Sequence, residues 1–246
     1  MRILQRGYRI SRTVLRRRDD KGMISENPYI PKGKKKEGIQ MIATLVLLVL
    51  VCGTTVLYLK KKEEPTLEKK RKAEFKIIPT SLCALLALYG ALTGGGASAW
   101  FLFLGLCVCA SADWLLEFEF FKGMAAFGAG HILYIIGYIL AGGLKWRSLV
   151  VFAVLLCVIL LLYTRLKDRL EQAHLYLAYA VILCTMAALA SSHQNFLMAG
   201  GLLFVVSDCM IGIGMAGFRK GRMYDILIMV TYYGAQFLIA ASTIFR

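Results

Sequence analysis

Eight long apolar runs, each followed by a short polar break, constrain the fold of this chain more than any other feature. They fall near 39–59, 75–92, 98–116, 124–141, 148–164, 173–191, 196–217 and 224–245. A helix needs roughly 20 residues, within a range of about 17–25, to cross the hydrocarbon core of a bilayer. Most of the runs fit, and those at 75–92 and 148–164 are at the short end. Segments this long and this uniformly apolar are not barrel strands, so helices must satisfy the backbone in lipid. The joining loops are brief, such as "TGGGA", "GGLKWRS" and "SSHQN". The expected fold is all-α: a multi-pass integral membrane protein of about eight transmembrane helices. Hydrophobic residues make up 58% of the 246 and charged residues 18%, which excludes an ordinary soluble domain.

The remaining composition narrows the chemistry. All seven cysteines lie inside apolar runs, where they act as small hydrophobes rather than as a disulfide framework. The histidines at 131, 174 and 193 show no metal-ligand spacing, so neither a metal nor a cofactor is expected. Residues 1–38 differ from the rest: twelve Lys/Arg and four acids. They read either as a disordered basic arm that meets anionic lipid or as sequence upstream of a true start at Met23 or Met41. Residues 39–246 form the membrane domain.

Basic residues also set the topology. The loops at 60–74, 117–123, 165–172 and 218–223 carry fourteen Lys/Arg, against only Lys145 and Arg147 on the opposite side. The positive-inside rule places the first set in the cytoplasm. The basic arm conflicts with that placement, and the repeated loop pattern is the stronger signal.

Within the runs a few polar residues stand out. "GLCVCASADWLL" has Asp113 as the one charged residue of its run, and "GGLLFVVSDCMIGIGMAG" has Asp208. An Asp at the centre of a transmembrane helix costs about 2.5–3.5 kcal/mol on insertion scales. One such residue could serve as glue between helices, typically worth about 0.6 kcal/mol per hydrogen bond. Two, together with His131, Lys76, Tyr232, Tyr233 and Gln236, favour a functional site. Because the chain crosses alternately, each residue can be assigned a depth, and all of these fall in the half of the membrane nearer the basic loops. That clustering predicts one polar cavity on the cytoplasmic side. Asp225, Met229, Tyr232 and Gln236 share a helix face, as do His131, Tyr134 and Tyr138. Gly105, Gly201 and Gly212 lie near the faces of the two aspartates, where small residues would let helices approach closely.

Two carboxylates in a low-dielectric cavity tend to divide the proton between them, one acid and one base. That suits acid–base hydrolysis. No nucleophile elbow, zinc-hydrolase motif or phosphate-binding loop is present. Proton-coupled transport through the same Asp/His cavity, or lipid binding without chemistry, fits these residues as well.

Three stretches carry a resemblance: "FKIIPTSL", "GLCVCASADWLLEFEFFKGMAAFGAGHILYIIGYIL" and "GGLLFVVSDCMIGIGMAGFRKGRMYDILIMVTYYGAQFLIAAS". In order and spacing they are similar to the YhhN-like lysoplasmalogenase family of polytopic membrane proteins, over about residues 75–245. The resemblance implies hydrolysis of the vinyl-ether bond of lysoplasmalogens to a fatty aldehyde and a glycerophospho-alcohol. It implies Asp113 and Asp208 as catalytic residues. Lys76, His131, Tyr134, Ser207, Tyr232 or Tyr233, and Gln236 would bind substrate, with Arg219, Lys220 or Arg222 helping Lys76 to hold its phosphate, although Arg222 reads better as a topology signal alone. The implied partners are a lysophospholipid substrate and membrane lipids, with no nucleic acid. The membrane would be the cytoplasmic membrane in a bacterium or the endoplasmic reticulum in a eukaryote. Ala112 stands where the family usually has Gly before its first Asp, and Cys109 where it has Ser.

Overall fold

A computed structural model describes residues 32–245. The chain divides into Met1–Gly38 and Ile39–Arg246. The expectations for residues 1–31 lie outside the described residues; Lys32 to Gly38 are helical. Among the described residues eight long helices follow one another: α1 (Lys32–Lys62), α2 (Lys69–Leu92), α3 (Gly96–Phe118), α4 (Phe120–Leu140), α5 (Trp146–Leu166), α6 (Ala173–Ala190), α7 (Asn195–Met215) and α8 (Arg222–Ala241). A short 3-10 turn, Lys167–Arg169, extends α5. All eight helices are long and apolar enough to cross a membrane. The protein is an all-α polytopic membrane protein, and each expected span lies within or overlaps one helix.

Tight loops force neighbouring helices to run antiparallel. The α2–α3 connection is only Thr93–Gly95, and Gly94 and Gly96 take φ of 111° and 63°, a region that side chains with a Cβ rarely adopt. Six helices close into a ring: α2 packs on α3, α3 on α4, α4 on α6, α6 on α7, α7 on α8, and α8 back on α2. Helix α5 packs on α6 outside that ring, and α1 and α5 bury the smallest shares of their side chains. Their exposed Leu, Val and Ile, among them Val49, Val154 and Leu161, suit a lipid-facing surface.

Glycines set the closest approaches within the ring. A Cβ on Gly105 would lie 2.4 Å from the Tyr134 ring, and one on Gly201 would lie 3.0 Å from Ala187 Cα. Those two contacts hold α3 against α4 and α7 against α6. Gly212 differs from the expectation: a Cβ there would meet nothing within 4 Å, because Gly212 lines a cavity rather than a helix contact.

Candidate active site

That cavity lies towards the ends of the helices that meet the basic loops, where α4 begins and α5 ends. Phe120, Leu166 and Leu170 line its outer part, and Phe127, Leu183 and Ile228 its inner part. Most of the wall is apolar. Its polar groups are Lys76 from α2, Asp113 from α3, Asp208 from α7, the α5–α6 tyrosines and Tyr232 from α8. Two helices far apart in sequence, α3 and α7, therefore bring their carboxylates into one largely apolar space. Asp113 is buried and Asp208 is half-buried.

Each carboxylate is tethered through one oxygen. Asp113 Oδ2 accepts from Thr80 Oγ1 at 2.7 Å and from the Tyr232 hydroxyl at 2.7 Å. Asp208 Oδ2 accepts from the Tyr179 hydroxyl. Among the described residues, Oδ1 of either aspartate accepts no hydrogen bond, so on each the second oxygen is open for chemistry.

Behind the cavity wall, two relays hold the tethering hydroxyls. Gln236 Nε2 donates to the Tyr232 hydroxyl at 3.1 Å, and Gln236 Oε1 accepts from Tyr134 at 2.9 Å. Cys109 Sγ lies 3.6 Å from the same Tyr134 hydroxyl. The second relay is shorter: His131 Nε2 lies 3.1 Å from the Tyr179 hydroxyl. With the Tyr179 proton directed at Asp208, the histidine is the donor from Nε2. The Nδ1 atom then carries a lone pair, and it is buried without a partner. Phe204 packs edge-on against the ring at 4.5 Å and holds it in place.

A third polar group sits one turn closer to the basic loops. Lys76 Nζ donates to Glu117 Oε1 at 2.9 Å, and the Tyr58 hydroxyl of α1 lies 3.5 Å from the same oxygen. Pro79 in α2 cannot donate to the Phe75 carbonyl. The Tyr233 hydroxyl supports the backbone beside that gap by donating to Lys76 O at 2.9 Å.

The model of the YhhN family matches residues 72–243, most of the chain. The chain belongs to the YhhN family. No curated protein and no solved structure is significantly similar to it. The YhhN region contains every residue that lines the cavity, while Tyr58 and the rest of α1 precede it.

The YhhN-type residues singled out in the sequence divide into three groups by position. Asp113, Asp208, Lys76 and Tyr232 reach the cavity wall. His131, Tyr134 and Gln236 stand behind it in the relays. Tyr233 and Ser207 instead join helices, Tyr233 to the α2 backbone and Ser207 Oγ to Ile228 O at 3.3 Å. Asp225, on the same face as Tyr232, turns away to pair with Lys62 at 2.9 Å. Arg222 pairs with Glu63 at 2.8 Å. Sequence reasoning missed Thr80, Glu117 and Tyr179. The first two had a signal: Thr80 is four residues after Lys76 and Glu117 four after Asp113, each on the face of a residue already singled out. Tyr179 had none beyond being a hydroxyl in an apolar run.

Proposed function

We propose that the protein hydrolyses the vinyl-ether bond of a lysoplasmalogen by acid–base catalysis between Asp113 and Asp208. The observation that carries this reading is the pair of carboxylates, each with one tethered and one open oxygen, in a single apolar-walled cavity. Membership of the YhhN family supports it. The apolar wall suits an alkenyl chain, and the polar end suits a glycerophosphate.

The hydrogen-bond pattern suggests how the roles divide. Asp113 receives two hydroxyl donors, which favour its ionised form, whereas Asp208 receives one. Asp208 then protonates the vinyl carbon β to the ether oxygen. The Asp113 carboxylate faces the resulting oxocarbenium ion, stabilises its charge and takes a proton from the water that adds to it. The hemiacetal collapses as Asp113 returns that proton to the departing glycerol oxygen and the hemiacetal hydroxyl gives its own to Asp208. One water is consumed, one aldehyde and one alcohol leave, and both carboxyls recover their starting state. Lys76 lies where it can meet the substrate phosphate, and Tyr179–His131 and Tyr232–Gln236 hold the two carboxylates in position.

The test uses purified protein in detergent, which should release aldehyde from a lysoplasmalogen. Asp113→Asn and Asp208→Asn should each abolish release and leave the protein folded. Full activity in either variant would sink the paired mechanism. Solute flux in liposomes without product in detergent would point to a transporter, and lysolipid binding without turnover to a binding protein.

A further inference from the structure

The hydrolysis scheme gives Lys76 a task but leaves its partner Glu117 without one. Lys76 lines the cavity and Glu117 pairs with it from beside the lining residue Leu116; the two side chains are 6% and 24% exposed. A buried ion pair is weak evidence for a purely structural role, since desolvation offsets much of the attraction. Glu117 is also only half used. Lys76 and Tyr58 both meet Oε1, and among the described residues Oε2 accepts no hydrogen bond.

The position of the pair fits a glycerolipid. Glu117 follows Asp113 by four residues on α3, so it shares the same face one turn nearer the helix end. That turn is about 6 Å of rise, the reach of a glycerol backbone. With the ether oxygen at Asp113, the head group of the same lipid arrives at Lys76 and Glu117. The charges match as well. The pair is neutral overall, one cation beside one anion, as is a head group built of a phosphate and an ammonium.

We propose that Glu117 is a specificity-determining residue for the head group: a zwitterionic head group opens the Lys76–Glu117 pair and exchanges partners with it. The phosphate takes Lys76, and the ammonium takes Glu117 through the open Oε2. The identity of the lipid rests on the hydrolase reading above. In this exchange two ion pairs replace one, and no charge is left alone in the wall. An anionic head group without an ammonium displaces Glu117 from Lys76 and leaves two like charges side by side, which an interface of this kind penalises. Tyr58 keeps the carboxylate on α3 in place while its partner changes, so α1 contributes to the site from outside the family-matched region.

The experiment compares three 1-alkenyl lysolipids of one chain length, with phosphoethanolamine, phosphocholine or a bare phosphate as head group, on the full-length protein in detergent. The wild type should show KM values about tenfold lower for the two zwitterions than for the phosphate. Glu117→Gln should erase that ratio, acting on KM more than on kcat, and Glu117→Asp should restore it. An unchanged ratio in Glu117→Gln, or an equal rise in KM for all three lipids, would overturn the proposal. The single variant leaves Lys76 without its partner and can unfold. The double variant Lys76→Gln with Glu117→Gln buries no lone charge and should also lose the preference; if it keeps it, the proposal fails. The saturated 1-alkyl lysolipids, which have no vinyl bond to cleave, separate this idea from the hydrolase reading. A binding preference that depends on Glu117, with no aldehyde from any substrate, keeps head-group selection and removes the hydrolase. Aldehyde release with a preference indifferent to Glu117 does the reverse.

Discussion

Replacing Tyr232 with Phe removes one oxygen, and the structure says what should follow. That hydroxyl donates to Asp113 Oδ2 at 2.7 Å and accepts from Gln236 Nε2 at 3.1 Å. Hydrogen bonds to charged groups are worth about 1.5–3 kcal/mol. If Asp113 is the anion that faces the oxocarbenium ion, most of that support is used in the transition state. Each 1.36 kcal/mol is about tenfold in rate, so kcat should fall by roughly ten- to a hundredfold. Stability should suffer less, because polar contacts between membrane helices average about 0.6 kcal/mol and reach about 1.7. The variant should therefore fold and be slow. Thr80→Val removes the other donor, also at 2.7 Å, and should cost a similar factor. Tyr233→Phe is the control: its hydroxyl meets the Lys76 carbonyl and not the carboxylate. Initial rates of aldehyde release, with thermal unfolding in the same detergent, give both quantities. A Tyr232→Phe enzyme with wild-type kcat, or a Tyr233→Phe enzyme equally slow, would refute the reasoning.

Tyr179→Phe should separate Asp208 from His131 and also slow turnover by about tenfold or more, with the unfolding temperature as the check on folding. Gly105→Val should overpack the Tyr134 ring and cost about 1–3 kcal/mol of stability, whereas Gly212→Ala should cost almost none, since its Cβ meets nothing; unfolding in detergent compares the two. His193, in the loop before α7, has its pKa lowered, chiefly by burial and also by Lys145. The folded state then binds fewer protons than the unfolded one, so stability should decline as pH falls through the usual histidine value near about 6.5. His193→Phe should flatten that acid limb of the unfolding profile.

The number of spans was legible in the sequence because it depends on length and hydropathy alone, both of which are local. That Asp113 and Asp208 share one cavity was legible for a related reason: alternate crossing converts position along the chain into height along the helices. Which hydroxyl meets which carboxylate was not. Tyr232 and Tyr233 are adjacent, and helical periodicity puts them 100° apart without saying which way α8 is rotated. The closure of α8 on α2, with α3 between α2 and α4, turns Tyr232 to Asp113 and Tyr233 to the α2 backbone. Tyr179 was invisible because its reach to Asp208 on the next helix, and to His131 on α4, depends on how α6 is rotated between them. Gly212 was misjudged because a small residue beside an Asp reads the same whether it admits another helix or leaves space for a ligand.

The two tethers also answer why so polar a site can survive among apolar helices. A lone carboxylate at membrane depth is expensive, yet each here has a hydroxyl donor, and each hydroxyl has a second partner behind it. The partners come from α2, α4, α6 and α8, so the carboxylates on α3 and α7 are held only when the ring is closed. The same bonds that offset the burial of charge therefore fix the geometry of the site. Loosening the ring should lower activity before it lowers helix content. Gly105→Val tests this link, because Tyr134 is both the residue it displaces and the donor to Gln236. That variant should lose turnover at temperatures where its circular dichroism is still that of the wild type, and a coincident loss of both would break the connection between closure of the ring and order at Asp113.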